Sequence, residues 1–225
     1  LPLILFIPAV HADVGVSLDL SNEVDRYQKN EKSNITASAG LAIEYKGDKF
    51  NIDKGTLSYD FTNGKKYAIE AILQSNNKGF DTNDRKIFNG LSERRDSIDI
   101  GARGIANTKY GPIVMELTRD LHASKGHEAD IRFGGIAPHS NYWAGKREFT
   151  FAPLVGVRYQ SKKVVDYHYG VKNGEATSTR KQYSGTSATT PYVGIESKIN
   201  LTKHFSLNAD VVYERRDKSI KNSSL

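Results

Sequence analysis

A chain of 225 residues has room for one large domain or two small ones. Only 38% of it is hydrophobic, mean hydropathy is −0.54, and no run approaches the roughly 18–20 consecutive apolar residues of a membrane helix. With no cysteine there is no disulfide framework or thiolate metal site, and 32 Lys+Arg interspersed with 26 Asp+Glu give a net charge of +6 without the arginine-rich helix or finger spacing of a nucleic-acid binder.

Residues 1–12, LPLILFIPAVHA, are a short apolar run closing on Val10-His11-Ala12 ahead of Asp13. The run is too short to span a bilayer and has the form of the end of a secretory signal with a V-x-A cleavage site. The expectation is cleavage between Ala12 and Asp13 and a compartment beyond the inner membrane. The single methionine is Met115, so the segment lacks both an initiator and the basic region that opens such signals.

From Asp13 onward one period recurs. Val14, Val16, Leu18 and Leu20 alternate with Gly15, Ser17 and Asp19. Ile35, Ala37, Ala39, Leu41, Ile43 and Tyr45 alternate with Thr36, Ser38, Gly40, Ala42, Glu44 and Lys46, twelve residues at strict period two. That length exceeds the usual 5–6-residue globular strand and suits the roughly 9–11 residues of a tilted membrane strand. Leu57, Tyr59 and Phe61 lead into the turn signal Thr62-Asn63-Gly64 and then Tyr67, Ile69, Ala71 and Leu73. Ile98, Ile100, Ala102, Gly104, Ala106 and Tyr110 run to a turn at Gly111-Pro112, followed by Ile113, Met115 and Leu117. Ile131 and Phe133 mark a weaker strand, and Phe149, Phe151, Val155, Val157 and Tyr159 a strong one. Val165, Tyr167, Tyr169 and Val171 set a further strand against Asp166, His168 and Gly170. Val193, Ile195 and Ile199 follow, then Phe205, Leu207, Ala209, Val211 and Tyr213.

About eleven strands result, with no helix. Mid-strand charges (Asp99, Arg103, Glu116, Arg158, Asp166, Glu196, Asp210, Glu214) fit a wet lumen opposite a lipid-facing row. In lipid only a closed barrel satisfies every strand's backbone groups. The fold class expected is therefore all-β, an antiparallel transmembrane β-barrel with Tyr45, Tyr110, Tyr159 and Tyr213 near its interfaces. A soluble β-sandwich, whose outer face also alternates, is the rival. With these strands the long connections 21–33, 75–96 and 172–189 do not all fall at one end; ten strands, or one split strand, would change that parity.

FNGLSERR (residues 88–95), with its Glu93 and Arg94, precedes a strand ending Thr108-Lys109-Tyr110-Gly111 and resembles the MipA/OmpV family of outer-membrane proteins. Asp166, Tyr167, His168, Tyr169, Gly170 and Val171, followed by Glu175 and Ala176, are similar to that family's D-Y-Y-Y-G-V…E-A signature, with His168 in place of the middle tyrosine. Thr190-Pro191-Tyr192-Val193-Gly194, the turn Leu201-Thr202-Lys203-His204 and the stretch 217–225 fit as well; in the last, Ser219, Asn222 and Ser224 stand where Ser, Asp and Pro are expected. The resemblance implies one more strand, so the expectation is a twelve-strand barrel (ten is the alternative) over residues 13–225 that stops short of its final strand. It also implies a noncatalytic scaffold in the outer membrane without cofactor. Its partners would be a murein lytic transglycosylase and a bifunctional peptidoglycan synthase. A narrow porin-like channel is the alternative function.

Catalytic and metal-binding patterns are weak. His139 and Ser140 are similar to the His and Ser of barrel lipases in residue type alone, and adjacent residues of an extended chain point to opposite faces. His122, His127, Glu128 and Asp130 offer metal-ligand types, but Lys125-Gly126 between them reads as a turn that Asp120 and His122 shape. Arg103, Arg158 and Arg119 are placed on polar faces, with Asp99 and Glu116 as further lumen charges, where they would form an eyelet favouring anions.

Overall fold

The alternating rows become the two faces of one continuous wall. In the computed structural model, which describes residues 13–24, 35–62, 64, 66–82, 86–138 and 149–225, eleven strands close into a barrel. They are β1 (Asp13–Val24), β2 (Ile35–Lys46), β3 (Phe50–Asp53), β4 (Thr56–Asp60), β5 (Tyr67–Asn76) and β6 (Ser97–Thr108), then β7 (Gly111–Asp120), β8 (His127–Gly134), β9 (Phe149–Gln160), β10 (Ala188–Asn200) and β11 (Phe205–Glu214). Consecutive strands pair antiparallel, β1 and β2 over their full lengths from Asp13↔Lys46 to Val24↔Ile35. An odd number of strands leaves the first and last pointing the same way, so β1 meets β11 in parallel, Val16 to Ser21 beside Phe205 to Asp210.

The pleat sorts the side chains. On β6, Ser97, Asp99 and Arg103 are buried against the lumen while Ile98 and Ile100 are exposed. On β5, Tyr67, Ile69 and Leu73 are exposed and Glu70 is 2% exposed. A soluble sandwich would bury the apolar row; here it faces outward, as a lipid-facing wall requires. Aromatics collect at its edges: Tyr110 and Phe50 with Phe61 and Tyr67 at one end, Tyr159 and Tyr213 at the other. Lys66 and Lys109 lie over the rings of Tyr67 and Tyr110 at 5.2 and 4.7 Å.

Two segments differ from the sequence reading. Residues 162–169 form a helix, α1 (Lys162–Tyr169), not a strand. The residues that repeat every second position also repeat every fourth, and the helix buries Val164 with His168 and Val165 with Tyr169 on one face. Beyond it, a Cβ at position 170 would collide with the Asp166 carbonyl, which suits Gly170 to the stop. Conversely β3, carrying only Phe50 and Ile52 as an apolar pair, is a strand. It pairs with β2 through Tyr45↔Ile52 and Lys46↔Asn51 alone and turns at Lys54-Gly55, both at positive φ. Exchanging one segment for the other keeps the count at eleven and changes the parity. The connections 25–34, 77–96 and 161–187 all leave from the same end, with the tail 215–225. The other end has turns at 47–49, 61–66, 109–110 and 201–204, and the connection 135–148.

Candidate functional site

The described parts of connections 77–96 and 161–187 and the tail pack on one another as a cap over the barrel mouth. Its core joins Phe80, Phe88 and Leu91 from 77–96, Val165, Tyr169 and Val171 from 161–187, and Ile220 and Leu225 from the tail, where α2 (Lys218–Lys221) starts behind the N-cap Asp217. Phe80 and Phe88 stack at 4.0 Å. The residues of the family signature hold these pieces together. Arg94, 4% exposed, donates from Nε to the Tyr167 carbonyl at 2.5 Å and from its Nη atoms to the carbonyls of Ser92 and Gly170 at 2.7 and 3.3 Å. Its Nη2 also lies 3.4 Å from the Glu175 carboxylate. Glu175 accepts the N–H groups of Ser92 and Lys172 at 2.8 and 2.9 Å. Burial alone would push its carboxyl up; the hydrogen bonds from Ser92 and Lys172 and the Arg94 charge outweigh burial and hold it down at about 2.

Asp166 accepts Gly185 N–H and Ser184 Oγ–H at 2.8 and 3.1 Å, and the Tyr167 hydroxyl accepts Arg95 N–H at 2.8 Å. Val171 bridges Tyr183, and the Tyr169 carbonyl accepts Ser223 Oγ–H at 2.6 Å. Ala176 N–H closes a turn on the Asn173 carbonyl at 3.3 Å, while Glu93 stays exposed. Arg180, buried, donates to the carbonyls of Glu175, Ile87 and Asn89 at 2.8 to 3.0 Å. Nothing in the surrounding Thr-Ser-Thr-Arg-Lys run, polar as any exposed loop, distinguishes it in the sequence.

Below the cap lies a lumenal cavity of about 470 Å³ lined by seven Lys/Arg and seven Asp/Glu. The charges face one another. Arg103 pairs with Glu116 at 2.7 Å and Glu70 at 3.2 Å, and Arg158 with Glu214 at 2.8 Å and Asp130 at 3.6 Å. Arg132 meets Glu196 at 2.8 Å, Lys198 meets Glu44 at 3.3 Å, and Lys54, at the tip of the β3–β4 hairpin, reaches Asp210 on β11 at 2.9 Å. Asp99 is buried against Asn76 Nδ2–H at 2.9 Å. The arginines thus do not form an unopposed anion eyelet. Arg119 is not in the lumen at all: it shares the outward row of β7 with Met115 and Leu117. Toward the turn end, residues 135–138 fold inward, Ile136 N–H donating to Glu196 at 2.6 Å with Ala137 and Pro138 lining the cavity.

Among the described residues no group of three or more His, Asp or Glu is placed to hold a metal ion. Asp120 gathers the N–H groups of His122, Ala123 and Ser124 at 2.6 to 2.9 Å and a hydroxyl hydrogen bond from Ser97, and so shapes the β7–β8 turn. Ala12, His139 and Ser140 lie outside the described residues; Asp13 opens β1.

A closed wall with apolar side chains outward, aromatic edges and a polar lumen defines an outer-membrane β-barrel. Residues 14–225 match the family described as MltA-interacting protein MipA, and the chain belongs to that family. It is similar to the outer membrane protein OmpV of Vibrio cholerae serotype O1, 23% identical over 95% of this chain and 79% of OmpV. It is similar also to the outer membrane protein Omp26La of Vibrio anguillarum, at 22% over the same shares. No solved structure matches significantly. The protein's place is the cell outer membrane.

Proposed function

We propose that the protein is a noncatalytic scaffold that gathers peptidoglycan-remodelling enzymes, a lytic transglycosylase together with a bifunctional murein synthase, at the outer membrane. The family's description as MltA-interacting supports a protein partner. The observation that carries the reading is the lumen's self-neutralised lining, in which opposite charges pair across the cavity between the cap and the inward-folded residues 135–138. Side chains spent on neutralising one another are poor tools for catalysis or selective passage. In this reading the short turns face the periplasm, as in other outer-membrane barrels. They present Lys49, Lys66, Lys109 and Lys203, all exposed, to the partner. Immobilised protein is expected to retain purified lytic transglycosylase and to give no conductance steps in planar bilayers. Discrete salt-dependent steps without retention would favour a narrow channel for small polar solutes instead, the reading that the cavity of about 470 Å³ keeps as second.

A further inference from the structure

Two lipid-facing rows end in arginine at the capped rim. On β7 the outward residues run Ile113, Met115, Leu117 and then Arg119; on β11 they run Val211, Tyr213 and then Arg215, one step past the strand. Met115, Leu117, Val211 and Tyr213 are 55–70% exposed, and both arginines are exposed as well. Such a placement lets the aliphatic stem lie along the apolar wall while the guanidinium reaches headgroup level. Between the two rows, Tyr159 closes the outward row of β9 and is followed by Lys162 and Lys163 in the first turn of α1; Lys218 stands at the start of α2. All three lysines are exposed.

The frame carrying these cations is held fast. Arg215 N–H donates to the Pro191 carbonyl at 2.9 Å, and Asp217 accepts N–H groups from Ser219 and Thr189 at 2.8 and 3.3 Å. None of the five cations makes an ion pair among the described residues, whereas Arg103, Arg132 and Arg158 in the lumen are all paired. The surroundings add to the excess: the described connections 77–82, 86–96, 121–126, 161–187 and 215–225 carry fourteen Lys/Arg against six Asp/Glu. From β7 to β11 the arc covers four strand spacings, roughly 19 Å of wall.

We propose that Arg119, Lys162, Lys163, Arg215 and Lys218 form a binding arc for the phosphorylated saccharide head of the outer-leaflet glycolipid. Guanidinium groups chelate phosphate oxygens in a fixed fork, and ammonium groups add point charge beside them. A lipid is favoured over a soluble polyanion because both arginines stand on the outward rows, at the boundary where the apolar wall gives way to headgroups. The inference rests on the orientation taken above, capped end outward, and not on the scaffold role.

The test uses the protein refolded in detergent and titrated with bisphosphorylated lipid A, its dephosphorylated form and phosphatidylglycerol. Bisphosphorylated lipid A is expected to bind at least about tenfold tighter than either of the others, with affinity falling as salt rises. Changing the five residues to Gln together is expected to weaken that binding at least tenfold while the barrel keeps its heat-dependent gel mobility and its retention of lytic transglycosylase. Should that variant not fold, K162Q/K218Q, outside the strands, should show a severalfold loss. Equal binding of the three lipids, or undiminished binding by a folded variant, overturns the proposal. So does a loss that instead follows K49Q/K66Q/K109Q/K203Q at the turn end.

Discussion

Arg94 and Glu175 show what a signature residue does in this protein. Each is almost fully buried, each bonds backbone groups of its own connection and of the other one, and they meet at 3.4 Å. Removing one partner of a buried pair leaves the other charged and uncompensated, at a cost of about 3–5 kcal/mol. Arg94→Met is therefore expected to open the cap to protease within residues 161–187 without unfolding the barrel. Arg94→Met with Glu175→Leu should recover much of the loss. The pair also sets a pH dependence. The Glu175 carboxyl is held below its ordinary value of 4.5, at about 2, so its contribution is complete above about 4.5 and disappears as pH falls through 2. Protease sensitivity of the cap should rise over that window in the native protein and stay flat in Glu175→Gln. Sequence resemblance marks these positions but not the reason for them, because the carbonyls and amide that tie one connection to the other, at Tyr167, Gly170 and Ser92, are more than seventy residues away.

At the scale of elements, legibility followed length. The twelve residues of β2 alternate without interruption and are a strand from Ile35 to Lys46, as their pattern predicts. β3 offers only Phe50 and Ile52, too few repeats to show a period. Residues 162–169 misled for a different reason: Val165, Tyr167 and Tyr169 fit period two, while Val164, Val165, His168 and Tyr169 fit a helical face, and four-residue spacing belongs to both patterns. The cap core decided between them by giving the helical face something to pack against. Val165, 0% exposed, is the measure of that packing. Val165→Asp puts an unpaired carboxylate into the core and is expected to detach α1, seen as rapid amide exchange across 162–171 with protection of β9 and β10 unchanged.

For the whole molecule, the wall and lumen were readable because lipid and water impose opposite demands on neighbouring side chains. The cap was not, since a small core assembled from distant connections has no period. The outward position of Arg119 had a period, since it continues the row Ile113, Met115 and Leu117; its charge, between the polar and lumenal Thr118 and Asp120, pointed the other way. A continuous wall resists detergent until heat breaks all its pairings together. The folded protein is therefore expected to migrate differently on a gel before and after boiling. Identical mobility would contradict closure.

The cap also carries a chronology. Its hydrophobic centre needs Phe88 from the first half of the chain, Val165 from the second and Ile220 from beyond β11. None of these can meet until the staves that carry them stand in their final order. A cylinder still waiting for its later staves would have an unsealed lid, so a packed lid records that the staves have reached their final order.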